Sequence, residues 1–168
     1  MRRQINGIAD AQARYLVTRA TTFDQRVEGG HILEGHGDLR PEHVFLGPPP
    51  QIIDCLEFER EFRILDLADD LALLAMECDR LGAFRIGEAL FRIPAMAGAP
   101  ADLIAFYKSY RAALRAKLAI WHLKDDSVTD HAAWIDRASD YMALAAHETT
   151  LMSPTGLDLD HEQDPLRD

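Results

Sequence analysis

Between two stretches of helical period lies a segment through which no helix can run. From His31 to Cys55 the chain offers only short β-prone runs: His31-Ile32-Leu33-Glu34-Gly35-His36, Val44-Phe45-Leu46 and Gln51-Ile52-Ile53-Asp54-Cys55. Glycine and proline separate them. Gly47-Pro48-Pro49-Pro50 can continue neither strand nor helix, because proline fixes φ and lacks the donor N–H. It reads as the turn of a hairpin between the last two runs. Strands this few and this short cannot build a sheet-based core, so they form a small β element laid on helices. The fold class that follows is mainly α with a small β-hairpin.

The flanking segments supply the helices. Ile5, Ala9, Ala13, Leu16, Ala20, Phe23 and Val27 recur at three- and four-residue spacing, which predicts one helix from Arg3 to Glu28, ended by Gly29-Gly30. From Asp66 to 150 the chain reads as a helical bundle. Leu67, Leu71, Leu74, Ala75 and Cys78 form a stripe that Leu73 and Met76 widen into a mostly buried helix. A short helix follows near Ile86–Phe91. Pro94–Pro100 reads as a loop, with Pro100 opening the next helix. Ser127-Val128-Thr129-Asp130 offers a capping box for a last helix through Thr149. Residues 1–152 make one domain, and the proline- and acid-rich residues 153–168 a disordered tail.

The formal net charge of −10 argues against nucleic acid, which is gripped by clustered Lys and Arg, and is compatible with a cationic substrate. No apolar run approaches the ~20 residues that span a bilayer. No signal peptide is evident, and Cys55 and Cys78 are too few for a disulfide framework. A cytoplasmic protein is expected, with no membrane partner and both cysteines as small core residues.

The chemistry concentrates in His36-Gly37-Asp38-Leu39-Arg40-Pro41-Glu42-His43, followed sixteen positions after Asp38 by Asp54. The hairpin folds its second strand back along its first, so the carboxylates of Asp38 and Asp54 can converge. Phosphoryl transfer needs such a pair. One carboxylate orients the attacking hydroxyl and accepts its proton, and the other holds Mg²⁺ on the phosphates.

At these residues the chain resembles the aminoglycoside phosphotransferase and choline kinase-like family, whose loop runs His-Gly-Asp-Leu, then a common proline, then Asn. It is also similar to the His-Arg-Asp-Leu-Lys-Pro-Glu-Asn loop of protein kinases. The resemblance implies the C-terminal lobe of a protein-kinase-like fold, with catalytic loop 36–43 and metal-binding strand 51–55. It implies Asp38 as the catalytic aspartate, Arg40 beside the transferring phosphate, Asp54 as the Mg²⁺ ligand and His36 as a scaffold. It further implies ATP as co-substrate and a small-molecule hydroxyl as acceptor. Asp66-Leu67-Ala68-Asp69-Asp70-Leu71-Ala72 resembles the segment that opens the helix behind the site, where its aspartates would cap that helix.

Two departures qualify this. His43 stands where the family has Asn, and imidazole prefers softer metals than Mg²⁺. His43 is thus a metal ligand, a donor to phosphate, or structural. The N-terminal ATP-clamping lobe is also missing: 35 residues precede His36, there is no G-x-G-x-x-G, and the lysines are Lys108, Lys117 and Lys124. Either another segment or chain, including a second copy in a homo-oligomer, completes the site, or the chain is a non-catalytic remnant or interaction module. A transition-metal site from His31, His36, His43 and Asp54 matches no common zinc spacing.

Overall fold

A computed structural model describes residues 2–152 apart from Pro94, Ala95 and Ala97. The expected tail at 153–168 and part of the expected 94–100 loop lie outside the described residues. The fold is mainly α. Its helices are α1 (Arg2–Thr18), α2 (Ala20–Glu28), α3 (Leu67–Arg80), α4 (Phe84–Leu90), α5 (Ala101–Trp121) and α6 (His131–Leu151). Among the described residues four short strands, β1 (Ile32–Glu34), β2 (Val44–Phe45), β3 (Gln51–Ile52) and β4 (Ile64–Asp66), form two antiparallel pairs.

The single helix expected before the glycines is two helices, broken at Arg19, whose φ of −114° and ψ of 20° leave the helical region. The Thr18 hydroxyl donates to the Arg14 carbonyl at 2.8 Å, a local bond that competes with the helix ladder. The break lets both segments present aromatics to α5. Tyr15 stacks on Phe106 with ring centres 4.8 Å apart, and Phe23 meets Phe106 edge-on at 5.6 Å.

The expected hairpin is present, with Val44 opposite Ile52 and Phe45 opposite Gln51. It lies on the surface, with Phe45 and Ile52 exposed, and Cys55 just beyond it is exposed as well. Only Cys78 is the core thiol the sequence suggested. The second pair was not expected: β1 runs antiparallel to β4, Ile32 opposite Asp66 and Glu34 opposite Ile64. It closes the stretch between them into one large loop.

At the end of β4 the Asp66 carboxylate accepts the Ala68 N–H at 2.8 Å and caps α3. Every residue of α3 from Ala68 to Cys78 is buried, as suits a helix surrounded by others. Around it pack α4, α5 and α6; α5 and α6 lie along each other, and α1 packs on that pair, its Gln12 amide donating to Ser109 at 3.0 Å. Ser109 in turn donates to the Ala145 carbonyl at 3.0 Å, joining α5 to α6. The cap of α6 is Asp130 alone, accepting the Ala133 N–H at 3.0 Å. Ser127 bonds Asp125 at 2.6 Å instead, so the expected capping box does not form. Among the described residues no helix is long and apolar enough to cross a membrane.

Candidate functional site

The loop that follows β1 is held from beneath by the first turns of α3. Asp70 accepts the His36 N–H at 2.6 Å and the Gly37 N–H at 3.1 Å. Glycine is required at both ends of this contact. A Cβ at Gly35 would sit 2.6 Å from the Asp70 carboxylate, and Gly37 has φ of +84° with Leu56 and the Phe62 carbonyl close by. Arg111 of α5 donates to the Gly37 carbonyl at 3.0 Å and grips Asp69 with two hydrogen bonds of 2.7 and 2.6 Å. Burial pushes the Asp69 carboxyl up, opposed by the Arg111 guanidinium. Of the aspartates expected to cap α3, then, Asp66 does so, whereas Asp69 and Asp70 anchor the loop directly or through Arg111.

On this base the four residues singled out by the motif form one unbroken line of contacts. Asp38 is partly exposed, and its Oδ2 lies 3.0 Å from Arg40 Nε, a charge contact without hydrogen-bond geometry. Arg40 also reaches Glu42 at 2.5 Å and the His43 Nε2 at 2.9 Å. That same Nε2 lies 3.3 Å from Asp54 Oδ2, a close approach without a hydrogen bond. The ring partners set the tautomers. His43 Nδ1 faces the Asp38 carbonyl at 2.8 Å, and a carbonyl only accepts, so Nδ1 carries the proton. In the neutral ring Nε2 then accepts from Arg40. His36 is the reverse: its Nε2 donates to the Ile53 carbonyl at 2.7 Å, and Nδ1 accepts the Asp38 N–H at 3.3 Å. The two imidazoles stack with centres 5.3 Å apart. They tie the loop to the residue before Asp54.

Asp54 is the one described non-glycine residue at positive φ, 62°, and its side chain is 76% exposed. Arg115 of α5 approaches Asp38 Oδ1 at 3.8 Å and the buried Glu77 at 3.5 Å. Burial opposes the Arg115 charge. The nearby Tyr141 and the carboxylates of Asp38 and Glu77 outweigh it, and the guanidinium stays above its ordinary value.

The metal donors divide unevenly. Among the described residues no three His, Cys, Asp or Glu side chains gather as a metal cluster. His36 has both nitrogens engaged by backbone, and the remaining lone pair of His43 faces Arg40. Of the two motif aspartates, Asp54 presents the more open carboxylate, its side chain being far more exposed than that of Asp38. One carboxylate suits Mg²⁺, which keeps several waters and takes further oxygens from phosphates, better than it suits a structural zinc.

Asp69, Asp70, Arg111 and Arg115 are the site residues that sequence reasoning did not assign. The one local signal was a surplus: three aspartates where a helix start uses one as its cap.

Proteins of Mycobacterium bovis and of two strains of Mycobacterium tuberculosis, each described as uncharacterized, are 42% identical to this chain over 104 residues. The match covers 60% of this chain and 21% of each relative, so the chain spans about a fifth of their length. No protein-family model matches, and no solved structure matches.

Proposed function

We propose that this chain carries the acceptor-binding half of an ATP-dependent small-molecule phosphotransferase, built like the C-terminal lobe of a protein-kinase-like fold. The observation that carries the reading is the contact line Asp38–Arg40–His43–Asp54, whose loop is anchored just before Asp38 by Asp70 and Arg111. Phosphoryl transfer is catalysed chiefly by positioning and electrostatics, and a seat of this kind supplies both. Asp38 orients the acceptor hydroxyl and takes its proton, and Arg40 is placed to meet phosphate charge. Asp54 is the residue that would hold Mg²⁺, which when bound neutralises charge on the phosphates; His43 would join it only after releasing Arg40. The left-handed backbone at Asp54 supports a functional role, since such conformations concentrate at sites.

The nucleotide is to be held by a further segment or a second chain. Residues 2–28 build α1 and α2, and Lys108 is tied to Asp79 at 2.5 Å inside the bundle. The same observation favours a second reading, a non-catalytic interaction module that keeps the helical lobe. Assay of ATP-dependent phosphorylation over a panel of hydroxyl acceptors separates them. Asp38→Asn is expected to lower turnover by about 10² to 10⁴-fold with an unchanged melting temperature. Full activity in that variant would remove Asp38 from the chemistry. No turnover, together with no binding of a magnesium–nucleotide analogue, would leave the interaction module standing.

A further inference from the structure

A cavity of about 230 Å³ is lined by Arg40 and Arg115, the two arginines that approach the Asp38 carboxylate, and its lining carries the opposite sign to the chain as a whole. Arg40 comes from the loop, Arg115 from α5 and Arg137 from α6, with Trp134, Tyr141 and His122 completing the polar and aromatic wall. No carboxylate is among the lining residues. Asp38, Glu42 and Glu77 partly neutralise Arg40 and Arg115, yet the Nε groups of both arginines are buried without a hydrogen-bond acceptor. Arg137 adds a third guanidinium, its carbon 4.9 Å from the Trp134 ring centre, and His122 stacks on the same indole at 4.1 Å. Asp54 and His43 do not line this space, so it is separate from the proposed metal position.

We infer that the acceptor taken by this site is a small anion, a hydroxyl compound bearing a carboxylate or a phosphate. Its negative group rests against Arg115 and Arg137 while its hydroxyl reaches Asp38. Guanidinium groups bind both oxyanions in a two-pronged geometry, and an ammonium placed among three of them meets like charge. This rests on the phosphotransfer reading. In the step itself the acceptor oxygen bonds to the γ-phosphorus of the nucleoside triphosphate as the bridging bond to the β-phosphate breaks. The hydroxyl proton passes to Asp38, and nucleoside diphosphate leaves.

Titration of the whole chain by calorimetry and tryptophan fluorescence tests this without nucleotide. The probes are gluconate and glycerol 3-phosphate, with choline and glycerol as cationic and neutral comparators. Saturable binding of at least one anion is expected, with neither comparator bound. The exposed position of Arg137 makes Arg137→Gln safe for folding, and it is expected to weaken the anion about tenfold, with Arg137→Lys recovering part of the loss. Choline binding as tightly as the anions, unchanged affinity in Arg137→Gln, or no saturation by either anion would overturn the assignment. So would displacement of the anion by a non-hydrolysable ATP analogue, which would put these arginines on nucleotide phosphates. Anion binding without turnover of any acceptor would remove the phosphotransfer reading and leave the pocket. Turnover of a cationic acceptor would do the reverse.

Discussion

Asp70 spends both carboxylate oxygens on backbone N–H groups of the loop, at His36 and Gly37. Replacing it with alanine leaves two buried donors without partners. We expect Asp70→Ala to lower unfolding free energy by about 2 to 4 kcal/mol, taking the usual penalty per orphaned group. Asp70→Asn, which keeps one acceptor oxygen, should lose roughly half as much. Urea unfolding reads both, and an unmoved midpoint in Asp70→Ala would show that the loop is held by other means. At this scale the sequence was legible where the candidate residues are close together in the chain. Asp38, Arg40, His43 and Asp54 stand in one short stretch, and the hairpin that gathers them is announced by its prolines. Arg111 was illegible for the opposite reason: it lies 74 positions from the Gly37 carbonyl it holds, and nothing beside it in the chain points there.

Among the elements, the start of α6 offers a clean comparison. Asp130 makes the cap and Ser127 does not. Asp130→Ala should cost about 1 kcal/mol, and Ser127→Ala close to nothing, in thermal unfolding. Equal losses would restore the capping box. Helix existence followed from the apolar period, but its interruption at Arg19 did not, because the period carries straight through the break. β4 escaped notice as a three-residue strand that runs directly into its helix, with no glycine or proline to mark it. Its partner β1 was visible as a strand, though not the pairing.

Across the whole molecule, charge is distributed in a way that composition averages away. A chain of net charge −10 lines one cavity with three arginines, and buries Glu148 of α6 within 3.6 Å of Lys108. Burial raises the Glu148 carboxyl above its ordinary value, more than the nearby Lys108 ammonium lowers it. Its native form therefore keeps a proton that the unfolded chain has already released. Through that window the native state binds more protons, so stability falls as pH rises. Glu148→Gln removes this contribution, and its unfolding free energy should decline less steeply with pH above the usual glutamate range. Parallel profiles for the two proteins would refute the assignment. The pairing of β1 with β4 has a last consequence. Both ends of the segment between them, Glu34 and Ile64, meet at one rung of the ladder, like a ring on a clasp. The closure cost of such a ring grows only with the logarithm of its circumference. The outer turn at Gly47–Pro50 can therefore be lengthened or trimmed with little penalty, whereas the rungs and the two carboxylates beneath tolerate no such freedom.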